Sequence, residues 1–145
     1  MGTGIGVNKR FRVFLETYVM VNSLKTYSNI DTVKHLYDLF NQRKWKEIAE
    51  LHDDKVYLLD SKIGDQFVER KQADLASRYA AVERKYPGIK DQILFIQESG
   101  NLVYVQYLSK GLTRDGGNWE QLAWNIFTID DGKISRVATY FSQPE

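Results

Sequence analysis

The sequence contains no cysteine, which excludes disulfides, thiol nucleophiles and thiolate metal sites together. That absence suits a reducing compartment, and the expected location is cytoplasmic. No excess of one charge is present either. With 20 basic against 19 acidic residues the net charge is +1, so neither nucleic acid nor an anionic membrane is expected as a partner. The basic clusters Lys9-Arg10-Phe11-Arg12 and Arg43-Lys44-Trp45-Lys46 are isolated, and they read as solvated surface rather than as a binding stripe. The apolar run Val13-Phe14-Leu15 is too short to span a bilayer, is broken by Glu16, and has no small-residue cleavage site after it.

Other constellations are missing as well. His35 and His52 have no third ligand at a recognisable interval, so no metal site is expected. Ser77, Ser99 and Ser109 have no nucleophile elbow around them. Gly2-Thr3-Gly4-Ile5-Gly6 has the composition of a phosphate loop but neither follows a strand nor opens a helix. No cofactor is implied. Internal repeats and low-complexity segments are also absent.

What is there fits one domain, since 145 residues can bury a full core. Residues 1–28 read as a poorly ordered extension, or as an upstream start where Met20 opens a more compact protein. The domain proper is expected over 29–143. Ser28 and Asp31 have capping-box-like spacing ahead of Ile30, Val33, Leu36, Tyr37 and Phe40, which recur at helical intervals to about Gln42. Trp45, Ile48, Ala49 and Leu51 give a second, shorter stripe. Lys55 to Asp60 is a short β-rich run, and Ser61 to Asp65 is a loop. Val68, Leu75, Tyr79, Val82 and Tyr86 then mark a long third helix, stopped by Pro87-Gly88.

From there the period changes to 2. Asp91 to Glu98 and Leu102 to Leu112 read as strands joined through Ser99-Gly100-Asn101, and a turn with Gly116-Gly117 leads to the most informative stretch of the chain. Leu122 to Ile129 and Lys133 to Phe141 flank Asp130-Asp131-Gly132, a strong hairpin signal because its tight turn requires positive φ. Both faces of that hairpin carry large apolar groups: Leu122, Trp124 and Ile126 on one, Ala123, Phe127 and Ile129 on the other. A strand open to water on one side alternates apolar with polar, so this sheet is covered twice. Asn125 is an amide among apolar neighbours and needs partners or a ligand. Helices first and an antiparallel meander afterwards predict an α+β fold, with a twisted sheet curling around the helices into a cone.

This arrangement resembles the nuclear transport factor 2-like, or cystatin-like, fold, and within it the SnoaL-like branch that includes ketosteroid isomerase. The resemblance covers about Asn29 to Phe141. It rests on Tyr37-Asp38-Leu39-Phe40-Asn41, on Asp53-Asp54-Lys55-Val56, on the helix from Arg70 to Tyr79, and most specifically on Phe127-Thr128-Ile129-Asp130-Asp131-Gly132-Lys133-Ile134. These are signatures of fold, and the fold hosts many chemistries. The resemblance implies that Leu36, Phe40, Tyr79, Tyr104, Gln106, Leu108, Ala123, Asn125, Phe127, Val137, Thr139 and Phe141 face into the cone. Ketosteroid isomerase, a worked example of acid-base tuning, combines an Asp base with a Tyr and a protonated Asp that bind the oxyanion. Its oxyanion Asp would fall on Asn125, which still donates a hydrogen bond. Its Tyr would fall on Leu36, leaving Tyr37 pointing elsewhere, and its base on Leu59 or Asp60.

Asp60 is thus the carboxylate considered as a general base; the competing reading is a cap on the loop before Gly64. Tyr79 and Tyr104 are read first as core. The expected function is binding of a small, mostly apolar, carbonyl-bearing ligand in the cone, with weak acid-base chemistry of isomerase, cyclase or hydrolase type by Asp60 assisted by Asn125. The alternative is a non-catalytic dimerisation or scaffold domain. In either case Leu122, Trp124 and Ile126 need cover, which predicts a homodimer through the sheet face.

Overall fold

A computed structural model describes residues 28–142. The expected extension over 1–28 therefore lies, apart from Ser28, outside the described residues. Helix α1 spans Asn29–Asn41 and begins as its sequence implies: the Asp31 N–H donates to Ser28 Oγ at 3.2 Å, satisfying one of the orphan donors of the first turn. It buries Val33, Leu36, Tyr37, Leu39 and Phe40. Helix α2, Trp45–Glu50, follows at once and buries Ile48 and Ala49.

Strand β1 covers His52–Asp60, starting three residues before the expected Lys55. Beyond its loop the chain departs from the expected long helix. Val68–Lys71 form strand β2, and helix α3 begins only at Gln72 and runs to Lys85. The reason is pairing: Lys55 to Leu58 leave a free edge in β1, and β2 hydrogen-bonds antiparallel along it. Val68 fitted a helical stripe in sequence, yet it stands half-exposed on that edge.

The remainder is a meander of β3 (Lys90–Ser99), β4 (Leu102–Leu112), β5 (Asn118–Asp130) and β6 (Lys133–Phe141). At the β5–β6 turn Asp131 and Gly132 have φ of 50° and 78°, the doubly left-handed centre that the Asp-Gly signal requires. The strand order is β2-β1-β6-β5-β4-β3, with β1 lying parallel to β6. The sheet is curved but unclosed, and the fold is α+β. Its concave face, carried by Val103, Val105, Tyr107, Ala123, Phe127, Ile129 and Val137, packs on α1 and α2 as one core.

Candidate functional site

The curled sheet and the helices leave a cavity of about 480 Å³ between them. Strands β1, β3, β4, β5 and β6 form its wall and α1 and α3 its other side. Of the residues expected to face inward, Leu36, Phe40, Tyr79, Asn125, Phe127, Val137, Thr139 and Phe141 line it, and so does Asp60. Phe40 and Tyr79 pack edge to face with centroids 6.2 Å apart, and Trp45 stacks on Tyr79 at 6.4 Å. Phe40 and Tyr79 are part of the lining and leave the cavity open.

Tyr104, Gln106 and Leu108 do not line the cavity. In the antiparallel register they pair with Ile126, Trp124 and Leu122, and directly paired residues share a face, so all three belong to the outer surface. Their odd-numbered neighbours Val103, Val105, Tyr107 and Ser109 are buried on the inner side. Spacing by two holds equally for either face, and a one-residue shift exchanges them.

Tyr37 is a second correction. Far from pointing elsewhere, it is buried beside Leu36 and lines the cavity. Its ring meets Tyr107 edge on at 5.3 Å and Phe127 at 6.3 Å. Asn125 Nδ2 donates to its hydroxyl at 2.9 Å, while Asn125 Oδ1 accepts from Thr139 Oγ1 at 2.7 Å. The amide thus joins α1 to β5 and β6. Because the Tyr37 oxygen is the acceptor in that bond, its own proton remains to be donated. Burial raises the pKa of Tyr37 and of Tyr107 well above the ordinary phenol value and that of Tyr79 to about 12, so all three are neutral donors.

Asp60 combines both of its anticipated placements. In the parallel register it pairs with Thr139, which sets it at the cavity wall. Its Oδ1 accepts the Lys62 N–H at 2.9 Å, and its carbonyl accepts from Ile63 and Gly64, so it also caps the loop. Lys62, Arg78 and Lys85 line the cavity as well.

Sequence reasoning missed a second carboxylate. Asp91, at the start of β3, lines the cavity, and Ser109 Oγ donates to its Oδ1 across the β3–β4 pair. Its backbone is pinned both ways by Asn41: the Asp91 N–H donates to Asn41 Oδ1 at 2.8 Å and Asn41 Nδ2 donates to the Asp91 carbonyl at 2.9 Å. Burial pushes its pKa up to about 6, against the opposing pull of Ser109 and Arg43. One signal in the sequence bears on it: Asp91 stands two residues before Ile93, ahead of the register shift between Ile93 and Phe95, and so shares the face of an apolar residue.

His52 opens β1 and is fully buried. Nδ1 sits 2.9 Å from the Ile48 carbonyl, to which it donates, and Nε2 has no partner among the described residues. Burial lowers its pKa to about 4. No group of three or more metal-ligating side chains occurs among the described residues, and none of the described helices is long and apolar enough to cross a membrane.

A cone of this topology is the nuclear transport factor 2-like, or cystatin-like, fold. More narrowly, residues 33–137 match the SnoaL-like domain, and the chain belongs to that family. No curated protein matches the chain. Among solved structures it is similar to wild-type IdmH from Streptomyces antibioticus, a candidate polyketide cyclase, at 19% identity and a TM-score of 0.68, covering 80% of this chain and 93% of that one. It is also similar to an epoxide hydrolase from M. tuberculosis that is itself LEH-like, at 16% identity and a TM-score of 0.65, covering 79% of this chain and 82% of that one. A third is a hypothetical protein from Catenulispora acidiphila with a ketosteroid isomerase-like fold, solved with trimethylamine. There the identity is 11% and the TM-score 0.69, with 77% and 85% of the two chains covered. At these identities the likeness establishes the fold.

Proposed function

We propose that this SnoaL-like protein binds a small, mostly apolar, carbonyl-bearing molecule in its cone and performs weak acid-base chemistry of isomerase, cyclase or hydrolase type. The observation that carries the reading is the cavity itself: about 480 Å³, with Leu36, Phe40, Phe127, Val137 and Phe141 in its lining and the Tyr37–Asn125–Thr139 network set among them. That volume lies in the range of small-molecule sites, and a few convergent polar groups in an apolar wall are what orients a ligand. The neutral Tyr37 hydroxyl, already accepting from Asn125, is suited to donate to a carbonyl oxygen. The cyclase and hydrolase among the similar structures are consistent with such a ligand. In this reading Asn125 positions Tyr37, and Asp60 is a carboxylate in the cavity lining.

The second reading, a dimerisation module, is favoured by the outer sheet face. Phe95, Trp124 and Tyr140 are 47%, 39% and 44% exposed there, and Phe95 and Trp124 lie against each other at 6.4 Å. We assign that face to a second copy of the chain, the two-fold partner through the sheet; a dimer and a ligand-binding cone are compatible. Absence of cysteine supports a cytoplasmic location.

Thermal-shift measurement with apolar ketones and lactones tests the binding reading on wild type and Asn125→Leu. Stabilisation of wild type that shrinks in the variant supports it. No stabilisation by any compound, or equal shifts in both proteins, rejects it.

A further inference from the structure

We propose that Asp91, not Asp60, is the general base of this cavity, removing a proton from carbon next to a ligand carbonyl whose oxygen is held by the Tyr37 hydroxyl. The inference rests on the carbonyl-ligand reading above and deepens it. Its ground is the way the two carboxylates are held. Asp60 spends Oδ1 on the Lys62 backbone and organises a loop with its carbonyl. Asp91 organises no loop. Its main chain is already satisfied by Asn41 and its side chain projects at the cavity, where Ser109 engages one oxygen.

Asp91 is part-buried, and a carboxylate withdrawn from water for a structural task is commonly paired with a cation. Here the nearby cation is otherwise engaged. Arg43 acts on Asp91 only at range, while its guanidinium binds Glu83 at 2.9 Å. The other groups that face Asp91 are Tyr37 from α1, Tyr79 from α3, and Tyr107 and Ser109 from β4. All are neutral. A carboxylate left in this setting, with a pKa near 6, is ionised at neutral pH yet basic enough to accept a proton.

The step balances within the site. The C–H bond next to the carbonyl breaks and its proton passes to the Asp91 oxygen that Ser109 leaves open. The C–H electron pair becomes the enolate double bond, and the carbonyl π pair moves onto oxygen, which the Tyr37 hydroxyl stabilises. Return of the proton to the same or a conjugated carbon restores Asp91, with no other reactant consumed.

The test is hydrogen–deuterium exchange of 2-tetralone in D₂O, followed by NMR, with binding of the same compound measured by thermal shift. Wild type is expected to speed exchange by about 100-fold or more over buffer, with the rate falling on the acid side of pH ~6 as Asp91 protonates. Asp91→Asn is expected to lose that acceleration while 2-tetralone still raises its melting temperature. Ser109→Ala removes the hydrogen bond that lowers the Asp91 pKa, so the acid limb should move up by about one pH unit. That readout decides the matter if Asp91→Asn does not fold. Binding without exchange in wild type overturns the proposal, as does wild-type exchange by Asp91→Asn, an unmoved limb in Ser109→Ala, or loss of exchange in Asp60→Asn with Asp91→Asn active. Failure of 2-tetralone to bind wild type removes the ligand reading and this inference with it.

Discussion

Asn125 donates to the Tyr37 hydroxyl at 2.9 Å across 88 residues of sequence, and this single bond ties the first helix to the central hairpin. Tyr37→Phe leaves a part-buried amide N–H without its partner, which should cost about 1–3 kcal/mol. Asn125→Leu releases both Tyr37 and Thr139. The double variant should be less destabilised than the two single losses added together, because each already breaks the same bond. Urea denaturation of the four proteins measures this, and strict additivity would mean that the bond contributes nothing.

Stability against pH should hide two opposing titrations. Asp91 has its pKa raised from 3.8 to about 6; its contribution is fully present below pH 3.8 and is lost as pH rises through 6. His52 has its pKa lowered from 6.5 to about 4; its contribution is present above pH 6.5 and is lost as pH falls through 4. Each amounts to about 3 kcal/mol at roughly 1.4 kcal/mol per pH unit. Between pH 4 and 6 the slopes oppose. Relative to wild type, Asp91→Asn should therefore gain stability as pH rises across that window, and His52→Gln should lose it. Denaturation midpoints at half-unit intervals check both signs.

Gly132→Ala tests the hairpin turn. A Cβ there meets nothing within 4 Å, so only the φ of 78° is at issue. Forcing an L-residue into the left-handed region should cost about 1–2 kcal/mol. Gly64, which has equally open surroundings without a positive φ, should accept alanine with little change. Equal melting temperatures for the two variants would contradict this account.

Trp124→Glu probes the outer sheet face. A charge placed among Phe95, Tyr140 and the copy's equivalents should convert a dimer to a monomer, read by light scattering after size exclusion. A monomeric wild type rejects the assignment.

Much of the fold was legible because local rules sufficed. The capping at Ser28, the stop at Pro87-Gly88 and the Asp-Gly turn each depend on a few neighbouring residues. The long third helix was misread at its start because Val68 satisfies a helical period as well as a strand, and only the free edge of β1 chose between them. For the cavity the boundary falls in the same place. Asn125 stood out as an amide in an apolar run, whereas Asp91 did not, since a carboxylate near a strand start ordinarily faces water. Tyr37 lines the cavity together with Leu36 because a sheet that wraps the helix reaches adjacent helical positions on both sides.

Apart from β2 and the start of α3, the chain by itself determined its elements, the two apolar faces of its hairpin and the amide between them, all properties of residues close in sequence. Tertiary structure alone decided which face of β4 looks inward, because alternation is symmetric until a register with β5 breaks the symmetry. It alone brought Asp91 and Ser109 together in the cavity that Tyr37 also lines, since pairing across strands and packing of a helix on a curved sheet join residues that no local spacing relates.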